Sequence, residues 1–207
     1  MGRSGANKIK VVAIAGGSGS GKSWLAGRLV EALGQRAVAM SLDSFYRDRS
    51  HLPIRRRALI NYDHPRAIDW DLVVQTLCLA RAGRRFDVPD YSYVEHAPVG
   101  RPTRHDPAEF VILEGLWVLR PRRLSPLIDF GVFVDAPARL RLDRRIARDV
   151  AERGRSRASV TRQFREHVEP MHRQFVQPQR GRADLILQSP INPEAFMLLR
   201  RYLDELR

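Results

Sequence analysis

The sequence has little cysteine and no long apolar run. Cys78 is the single cysteine in 207 residues, which excludes a disulfide scaffold. Because it lies in an apolar helical run, we expect a packed side chain rather than a nucleophile. No apolar stretch has the length of a signal-peptide core or a membrane-spanning helix, and no internal repeat or low-complexity segment occurs. We therefore expect one cytoplasmic domain over residues 1–207, whose 43% hydrophobic content suffices for a full core.

Lysine is also scarce, although the chain is strongly basic. Lys8, Lys10 and Lys22 are the only lysines among 36 basic residues, and the formal net charge is +13. Such a charge suits either nucleic acid or an anionic small-molecule substrate. The arginines are spread along the chain with acidic residues among them, and no nucleic-acid-binding motif is present. We therefore do not expect nucleic acid as a partner.

The sequence GGSGSGKS at residues 16–23 matches the phosphate-binding pattern G-x-x-x-x-G-K-[ST]. A short apolar run of strand length precedes it at residues 8–15, and apolar residues at helical spacing follow it until Gly34. Strand, glycine loop and helix together predict a P-loop. The residues expected to bind a nucleoside triphosphate there are Gly16, Gly17, Ser18, Gly19, Ser20, Gly21, Lys22 and Ser23.

The residue types of this loop follow from phosphate chemistry. Backbone N–H groups that turn inward onto a polyphosphate require conformations and close approaches that glycine tolerates, at Gly16, Gly19 and Gly21. Lys22 would reach the β- and γ-phosphates, and the Ser23 hydroxyl would ligate Mg²⁺. Because arginine is used nearly everywhere else, a lysine at this position indicates that a compact ammonium is required.

Two further predicted strands end in a carboxylate. Asp43 follows a strand at residues 36–42, and Glu114 follows the apolar strand at residues 110–113. Ligands of parallel sheets bind beyond the carboxyl ends of the strands, so we expect both side chains near the P-loop. Asp43 could accept the proton of an attacking hydroxyl and help to hold a metal, and Glu114 would contact Mg²⁺ directly or through water. Taken alone, Asp43 would equally suit a turn or a helix cap.

Strands separated by helical segments predict an α/β fold, a five-stranded parallel sheet flanked by helices. The predicted strands are residues 8–15, 36–42, 110–113, 131–134 and 183–187. Two helices outside the P-loop have apolar stripes: Leu72, Val73, Leu77 and Leu79 after Asp69, and Phe196, Leu198, Leu199 and Tyr202 after the capping pair Asn192 and Pro193. Residues 84–100 predict a projecting β-hairpin, whose aromatic residues suit either a pocket for a flat heterocycle or ordinary packing.

Arginines concentrate on two helices between the last two strands. Arg141, Arg144, Arg145 and Arg148 share one face of the helix predicted over residues 138–153, and a second helix is predicted over residues 156–176. Two such helices meeting at a glycine predict a helical lid, over about residues 144–165, that closes over phosphates. A solvated basic face is the alternative, but it would normally have acidic residues on the same stripe.

Taken together, the motifs resemble those of the uridine kinase family of P-loop kinases. They follow one another in the order typical of that family, over about residues 8–188: GGSGSGKS, LDSFYRD, NYDHP, the YxYxxH segment of residues 91–96, ILEG, RRIARDVAERGR and EPMHRQFVQP. The resemblance implies phosphorylation of the 5′-hydroxyl of uridine or cytidine with ATP or GTP as donor. It also implies a homotetramer.

The resemblance also implies a role for individual residues. Asp43 would be the general base, with Ser23 and Glu114 completing the magnesium site. Asp63 and Arg145 would hold the ribose hydroxyls, and Arg155 and Gln163 would also reach the nucleoside. Arg148 and Arg153 match lid positions that meet phosphate, with Arg148 and Lys22 acting on the transferred group. The residues expected around the base are Tyr46, Tyr62, Tyr91, Tyr93 and His96.

The sequence departs from the family pattern at two positions and leaves other functions open. Family members commonly have an arginine two residues after the pocket histidine, where this chain has Pro98, and often a phenylalanine where it has Tyr62. Related P-loop kinases act on nicotinamide riboside, pantothenate or ribulose 5-phosphate, and fold alone does not fix the acceptor. The charge leaves a nucleic-acid-binding ATPase open, whereas a GTPase would need an N-K-x-D motif that does not follow the loop.

Overall fold

In the computed structural model, which describes residues 9–206, the chain forms nine strands and seven α-helices. The strands are β1 (Lys10–Gly16), β2 (Ala37–Ser41), β3 (Phe86–Val88), β4 (Tyr91–Ser92), β5 (Ala97–Pro98), β6 (Thr103–His105), β7 (Phe110–Gly115), β8 (Phe130–Asp135) and β9 (Leu185–Gln188). The helices are α1 (Lys22–Leu33), α2 (Ile54–Arg57), α3 (Trp70–Arg81), α4 (Ala138–Arg153), α5 (Arg157–Gln163), α6 (Glu169–Met171) and α7 (Pro193–Glu205). Lys8, predicted to begin the first strand, lies outside the described residues.

Five strands form one parallel sheet in the order β2-β7-β1-β8-β9, which confirms the predicted α/β fold. The chain leaves β1 toward β2 at one edge and later crosses to β8 on the other side of β1. Ligands of such sheets bind where the connections diverge, at the carboxyl end of the strand. The P-loop lies at that end of β1.

Helices cover both faces of the sheet and bury an apolar core on each. Helix α1 packs Leu25 and Leu29 beside Leu199 and Leu203 of α7 on one face. The other core contains α3 and the fully buried Trp117. Burial on both faces explains why β1 and β7 are almost continuous apolar runs. No helix among residues 9–206 has the length and apolarity needed to cross a membrane.

Helix α3 buries a narrower stripe than its sequence predicted. Asp69 caps it by accepting a hydrogen bond from the Leu72 amide. Val73 and Leu77 are in the core, but Leu72 is exposed and Leu79 is only partly buried. Cys78 is also exposed, so the prediction that it is packed was wrong. Each helical step turns the chain by about 100°, so Leu72 and Cys78, next to the buried Val73 and Leu77, lie toward solvent.

Helix α7 has the predicted cap and a different stripe. Asn192 accepts a hydrogen bond from the Ala195 amide, and Pro193 occupies the first turn. The buried residues are Leu199 and Leu203, whereas Leu198 is 67% exposed. Because the helix lies at the surface, one side of it faces solvent, and Leu198 is on that side although it is apolar.

The projecting segment between α3 and β7 is longer than predicted. Strand β3 pairs antiparallel with β6, and β4 pairs antiparallel with β5, so the paired residues extend to His105 rather than to residue 100. Pro98 lies within β5. Because β5 pairs with only one strand, its other edge needs no hydrogen-bond donor, and proline, which has no N–H, is tolerated there. The β4–β5 hairpin carries Tyr91, Tyr93 and His96 toward the carboxyl end of the sheet.

The helices after β8 agree with the predicted boundaries. Helix α4 ends at Gly154, which has the left-handed φ of 61° that favours glycine. Ser156 then caps α5 by accepting a hydrogen bond from the Ser159 amide. Helix α6 is flanked by π-helical turns at Phe164–Val168 and His172–Val176, so the helical segment continues to Val176.

Candidate active site

The P-loop connects β1 to α1 with glycines at positions that no larger residue fits. Gly19 and Gly21 have φ angles of 80° and 100°, in the left-handed region. Gly16 is required for a different reason: a β-carbon there would lie 2.6 Å from Ser20 Oγ and 2.7 Å from the carbonyl oxygen of Val134. The loop therefore has both the turns and the close approaches that its pattern predicts.

Helix α4 packs against the outer side of this loop. A β-carbon on Gly17 would lie 2.8 Å from Arg141 Cδ and 2.8 Å from His172 Nδ1. A β-carbon on Gly19 would lie 2.5 Å from the carbonyl oxygen of Arg141. The P-loop pattern allows any residue at position 17, so the need for glycine there comes from the tertiary structure.

Lys22, Asp43 and Glu114 meet at the same edge of the sheet, as the strand ends predict. Ser41 and Glu114 are register partners on β2 and β7, and Ser41 Oγ donates a hydrogen bond of 2.8 Å to Glu114 Oε1. Lys22 Nζ lies 3.9 Å from Glu114 Oε2. Asp43 follows β2 in a 3-10 turn, where its amide donates to Ser41 Oγ at 3.3 Å.

The oxygen atoms beside Lys22 fit a magnesium ion. Glu114 Oε2 is buried and accepts no hydrogen bond from the described residues. Burial raises the pKa of this carboxyl above its ordinary value, and the Lys22 ammonium opposes that rise, so a cation would stabilise the charged form. The Ser23 hydroxyl and the Asp43 carboxylate line the same cavity, and both are oxygen donors of the kind that magnesium prefers. Residues 9–206 contain no group of three or more His, Cys, Asp or Glu side chains that could hold a metal ion by themselves.

One cavity of about 630 Å³ joins the P-loop to the hairpin. The predicted acceptor-binding residues all line it: Tyr46, Tyr62, Asp63, Tyr91, Tyr93, His96, Arg145, Arg155 and Gln163. So do residues predicted for the donor, metal and catalysis: Ser18, Lys22, Ser23, Asp43, Glu114, Arg148 and Arg153. Ser41, residues 58–61, Val94, Leu116 and His167 also line the cavity and were not predicted.

Aromatic rings form one wall of the cavity. Tyr46 lies with its ring centre 5.1 Å from that of Tyr62 and 5.0 Å from that of Tyr91. Tyr62 stacks on His96 with 5.0 Å between ring centres and 12° between planes. Burial, and secondarily the Arg57 guanidinium, lowers the pKa of His96, so its ring is neutral near pH 7. These rings offer apolar faces and edges to a flat ligand.

Tyr93 packs edge-on against Tyr91 of that wall, with 5.8 Å between ring centres, and also contacts Asp43. Its hydroxyl donates a hydrogen bond of 3.1 Å to Asp43 Oδ2. Burial raises the pKa of Tyr93 far above its ordinary value, so the phenol keeps its proton and acts as a donor. The Tyr46 hydroxyl has its closer acceptor in the carbonyl oxygen of Tyr62, at 3.3 Å, and lies 3.5 Å from the other carboxylate oxygen of Asp43.

Asp63 and Arg145 line the middle of the cavity. Burial raises the pKa of Asp63, and the positive charge of Arg145 opposes that rise. Burial also disfavours the charged form of Arg145 and so lowers its pKa, while the nearby carboxylates of Asp63 and Asp149 oppose that fall. Arg145 donates hydrogen bonds of 2.9 Å to Ser18 Oγ and 2.9 Å to Gln163 Oε1, which connects the P-loop to α5.

Comparison with known proteins agrees with this geometry. The model of the Phosphoribulokinase / Uridine kinase family matches residues 11–193. The chain belongs to this family. It is 42% identical over 182 residues to a uridine kinase of Erwinia tasmaniensis, covering 86% of this chain and 85% of that protein. It is 38% identical over 183 residues to a uridine kinase of Streptococcus equi subsp. zooepidemicus, covering 88% of each.

Solved structures of the phosphoribulokinase/uridine kinase family share the fold. Phosphoribulokinase from Rhodobacter spheroides superposes with a TM-score of 0.64 at 19% identity, covering 88% of this chain and 71% of that one. At that identity the likeness concerns the architecture alone. The confirmed resemblance therefore rests on the sequence relatives, and the fold agrees with it.

In this member of the phosphoribulokinase/uridine kinase family, Arg144 binds the P-loop itself. Its Nη1 donates to the carbonyl oxygens of Gly19 and Ser20 at 3.3 and 3.2 Å, and to Ser189 Oγ at 2.8 Å. With Arg141 behind Gly17 and Arg145 bonded to Ser18, three arginines of α4 contact the loop. The amino-terminal part of α4 is thus attached to the phosphate-binding segment.

Asp149 is a residue of the site that the sequence analysis missed. It lies on the same stripe of α4, four residues after Arg145, so the expectation of a stripe without acidic residues was wrong. The stripe is nevertheless not a solvated face, because Arg141, Arg145 and Asp149 are all buried. The i, i+4 spacing with Arg145 was a signal that could have identified it.

Proposed function

We propose that this protein transfers the γ-phosphoryl group of ATP or GTP to the 5′-hydroxyl of uridine or cytidine, giving UMP or CMP. The observation that carries the proposal is the single cavity that joins Lys22 and Ser23 to Asp43 and then to the aromatic wall. A donor and an acceptor bound in that cavity would meet at Asp43. Identities of about 40% to proteins named uridine kinase support the same acceptor.

The residues at the P-loop end would bind and orient the donor. The loop amides and the Lys22 ammonium would hold the β- and γ-phosphates, while Arg148 and Arg153 would offset charge on the transferred group. Magnesium, held by Ser23, Asp43 and Glu114, would supply further neutralisation of the phosphate oxygens when bound. Catalysis would thus depend mainly on positioning and charge.

Asp43 would act as the general base. The 5′-oxygen forms a bond to the γ-phosphorus while the bond from that phosphorus to the β-γ bridging oxygen breaks, and the hydroxyl proton passes to Asp43. The hydrogen bond from Tyr93 would orient the carboxylate for this step.

The remaining predicted residues would recognise the nucleoside. Asp63 can accept hydrogen bonds from both ribose hydroxyls, with Arg145 beside it. At the same sugar or at the base, Arg155 can donate hydrogen bonds and Gln163 can donate or accept them. The aromatic wall would stack on the pyrimidine.

We also propose the setting in which this reaction occurs. The chain would work as a single domain whose hairpin and lid, about residues 144–165, border the cavity, and would assemble as a homo-oligomer, a tetramer by its resemblance to the family. A nucleoside triphosphate donor and one exposed cysteine suit the reducing cytoplasm. No nucleic-acid partner is proposed.

An acceptor panel tests the function. The protein is assayed with ATP or GTP and Mg²⁺ against uridine, cytidine, nicotinamide riboside, pantothenate and ribulose 5-phosphate. We expect the highest kcat/KM with uridine or cytidine, by about tenfold or more over the other three acceptors. An Asp63→Ala variant should raise the KM for uridine while the KM for ATP stays unchanged.

Other results would favour the alternatives. A higher kcat/KM with a non-nucleoside alcohol would contradict the proposal while leaving a kinase. Binding of nucleic acid that weakens steeply with salt, together with ATP hydrolysis and no phosphorylated acceptor, would favour a nucleic-acid-dependent ATPase.

A further inference from the structure

Four arginines converge on the carboxylate of Asp149. Arg148 donates from Nε at 2.9 Å to Oδ1, and its Nη2 lies 2.8 Å from the same oxygen. Arg153 Nη1 lies 3.6 Å from Oδ1. Arg145 Nε and Arg155 Nη1 each lie 3.5 Å from Oδ2. The Asp149 side chain is fully buried among them.

The end of α4 brings these arginines together. The amides of Gly154 and Arg155 both donate to the carbonyl oxygen of Asp149, so the chain turns back on the last helical turn. That turn returns the Arg155 side chain to the carboxylate, where it also donates to Gln163 Oε1 at 2.6 Å. The four guanidinium groups therefore reach Asp149 from α4 and from the segment after it.

The cluster has a large excess of positive charge facing the cavity. All four arginines line the cavity between the P-loop and the aromatic wall, whereas Asp149 does not. Asp149 offsets one of the four positive charges and the Asp63 carboxylate near Arg145 a second, and the remaining like charges repel one another appreciably near a protein surface. Without an anion at their centre, the guanidinium groups would move apart toward water.

We propose that Asp149 is a positioning residue that holds the four arginines in one array facing the triphosphate. The inference rests on the proposed function, because the array is assigned to a polyphosphate donor. Asp149 touches no substrate. It supplies an internal negative charge that keeps the arginines aligned before the donor arrives.

This role predicts that loss of the Asp149 charge changes polyanion binding and the rate of phosphoryl transfer in opposite directions. Asp149→Asn keeps the size of the side chain but removes its charge, so the cavity becomes more positive and the arginines lose their common partner. A polyanion should then bind more tightly, because it replaces the missing charge. Phosphoryl transfer should become slower, because the arginines no longer start from the aligned arrangement. A residue that merely supports the fold would weaken binding or leave it unchanged.

The test uses inorganic tripolyphosphate as the probe. Its dissociation constant is measured by calorimetry for the wild type, for Asp149→Asn and for Asp143→Asn, a control that removes an exposed carboxylate from the same helix. Thermal unfolding is followed with and without the probe, with sodium chloride at equal ionic strength as a further control. The kcat for uridine is measured for all three proteins.

We expect Asp149→Asn to bind tripolyphosphate about threefold or more tightly than the wild type, and to gain a larger increase in Tm from it. Its kcat should fall by about tenfold or more, while Asp143→Asn matches the wild type in each measurement. A variant that is folded only when tripolyphosphate is present supports the proposal, since the probe then supplies the missing charge.

Three results would overturn the inference. They are equal or weaker binding of tripolyphosphate by Asp149→Asn, an unchanged kcat, and a variant that stays unfolded with the probe present. Each of these leaves the proposed function intact as long as the wild type binds the probe and phosphorylates uridine. A wild type that does not bind tripolyphosphate would instead contradict the proposed function, and the inference with it.

Discussion

The guanidinium carbon of Arg153 lies 4.5 Å from the ring centre of Tyr93, whose hydroxyl donates to Asp43 at 3.1 Å. A cation on the helical segment is thereby stacked on the ring that orients the proposed base. Because Arg153 also lies 3.6 Å from Asp149, the contacts continue into the buried arginine cluster. A movement of the carboxyl end of α4 would therefore shift Tyr93 and, through its hydrogen bond, the carboxylate of Asp43.

Tyr93→Phe should remove the hydrogen bond to Asp43 while keeping the stacking against Arg153. Phenylalanine keeps a ring beneath Arg153 but cannot donate to Asp43, and a hydrogen bond to a charged group is worth enough to lower kcat by about tenfold. Steady-state kinetics at saturating ATP measure this, with Tyr202→Phe on α7 as a control for the loss of a hydroxyl. A kcat equal to that of the wild type would show that Tyr93 does not orient the base.

Asp43→Asn should abolish most of the turnover. The amide keeps the shape of the side chain but cannot take up a proton, so kcat should fall by about 100-fold or more while nucleotide binding survives. Asp48→Asn, at an exposed carboxylate five residues later, is the matched control and should retain activity. Unchanged turnover in Asp43→Asn would remove this residue from its proposed role.

His96→Asn should make the protein more stable and less active. His96 has a φ of 51°, and among the described residues it is the one non-glycine in the left-handed region. Asparagine tolerates that conformation better, so the free energy of unfolding should rise by about 0.5–1 kcal/mol. Loss of the ring that stacks on Tyr62 should raise the KM for uridine.

Urea unfolding and acceptor kinetics test this trade-off. His51→Asn, at an exposed histidine without a positive φ, should change neither quantity. A His96→Asn variant less stable than the wild type would contradict the prediction, because the lost stacking on Tyr62 would then outweigh the relief of backbone strain.

Two glycine substitutions should have opposite effects. Gly17→Ala places a methyl group 2.8 Å from Arg141 Cδ and His172 Nδ1, so it should destabilise the protein by about 1–3 kcal/mol and raise the KM for ATP. Gly27→Ala, in the exposed face of α1 with no atom within 4 Å, should stabilise the protein by up to about 1 kcal/mol. Thermal unfolding and ATP kinetics compare the two variants, and an unchanged Gly17→Ala would mean that α4 can move away from the loop.

His172 should make the protein less stable in mild acid. Burial, and secondarily the Arg141 guanidinium, lowers the pKa of His172 to about 4 from an ordinary 6.5. Between these values the unfolded chain binds more protons than the folded one, so this contribution to stability is present above pH 6.5 and is lost as the pH falls toward 4. The loss between pH 7 and pH 5 should be on the order of 1–2 kcal/mol.

Urea unfolding at both pH values measures this contribution. His172→Gln removes the titrating ring, and its stability should depend less on pH over the same interval. An equal pH dependence in the two proteins would contradict a buried, neutral imidazole.

The sequence predicted those parts of the site whose position depends on directly following a strand in the chain. The P-loop, Asp43 and Glu114 each follow a strand, and parallel strands end at one edge of a sheet, so their proximity could be derived without coordinates. The acceptor residues came from the resemblance to a family, and the structure places them along one cavity. Their individual roles stay predictions.

Other features depend on tertiary contacts that spacing does not encode. Gly17 looks interchangeable in the P-loop pattern, and the reason for its glycine lies in Arg141 and His172, far away in the sequence. Asp149 is one acidic residue among many arginines, and its burial arises only when the chain turns back after α4. The exposure of Leu72 and Leu198 depends on the width of each helix's contact with the sheet.

The hydrogen bond from Arg144 to Ser189 has a consequence for protein engineering. Ser189 lies just after β9, so the segment leading into the last helix is fastened to the nucleotide-binding turn. A variant that deletes residues before this serine, or that carries a tag inserted between β9 and α7, would keep the central strands but lose the hydrogen bond between Arg144 and Ser189 that supports the loop. Fusions placed beyond α7 should preserve it.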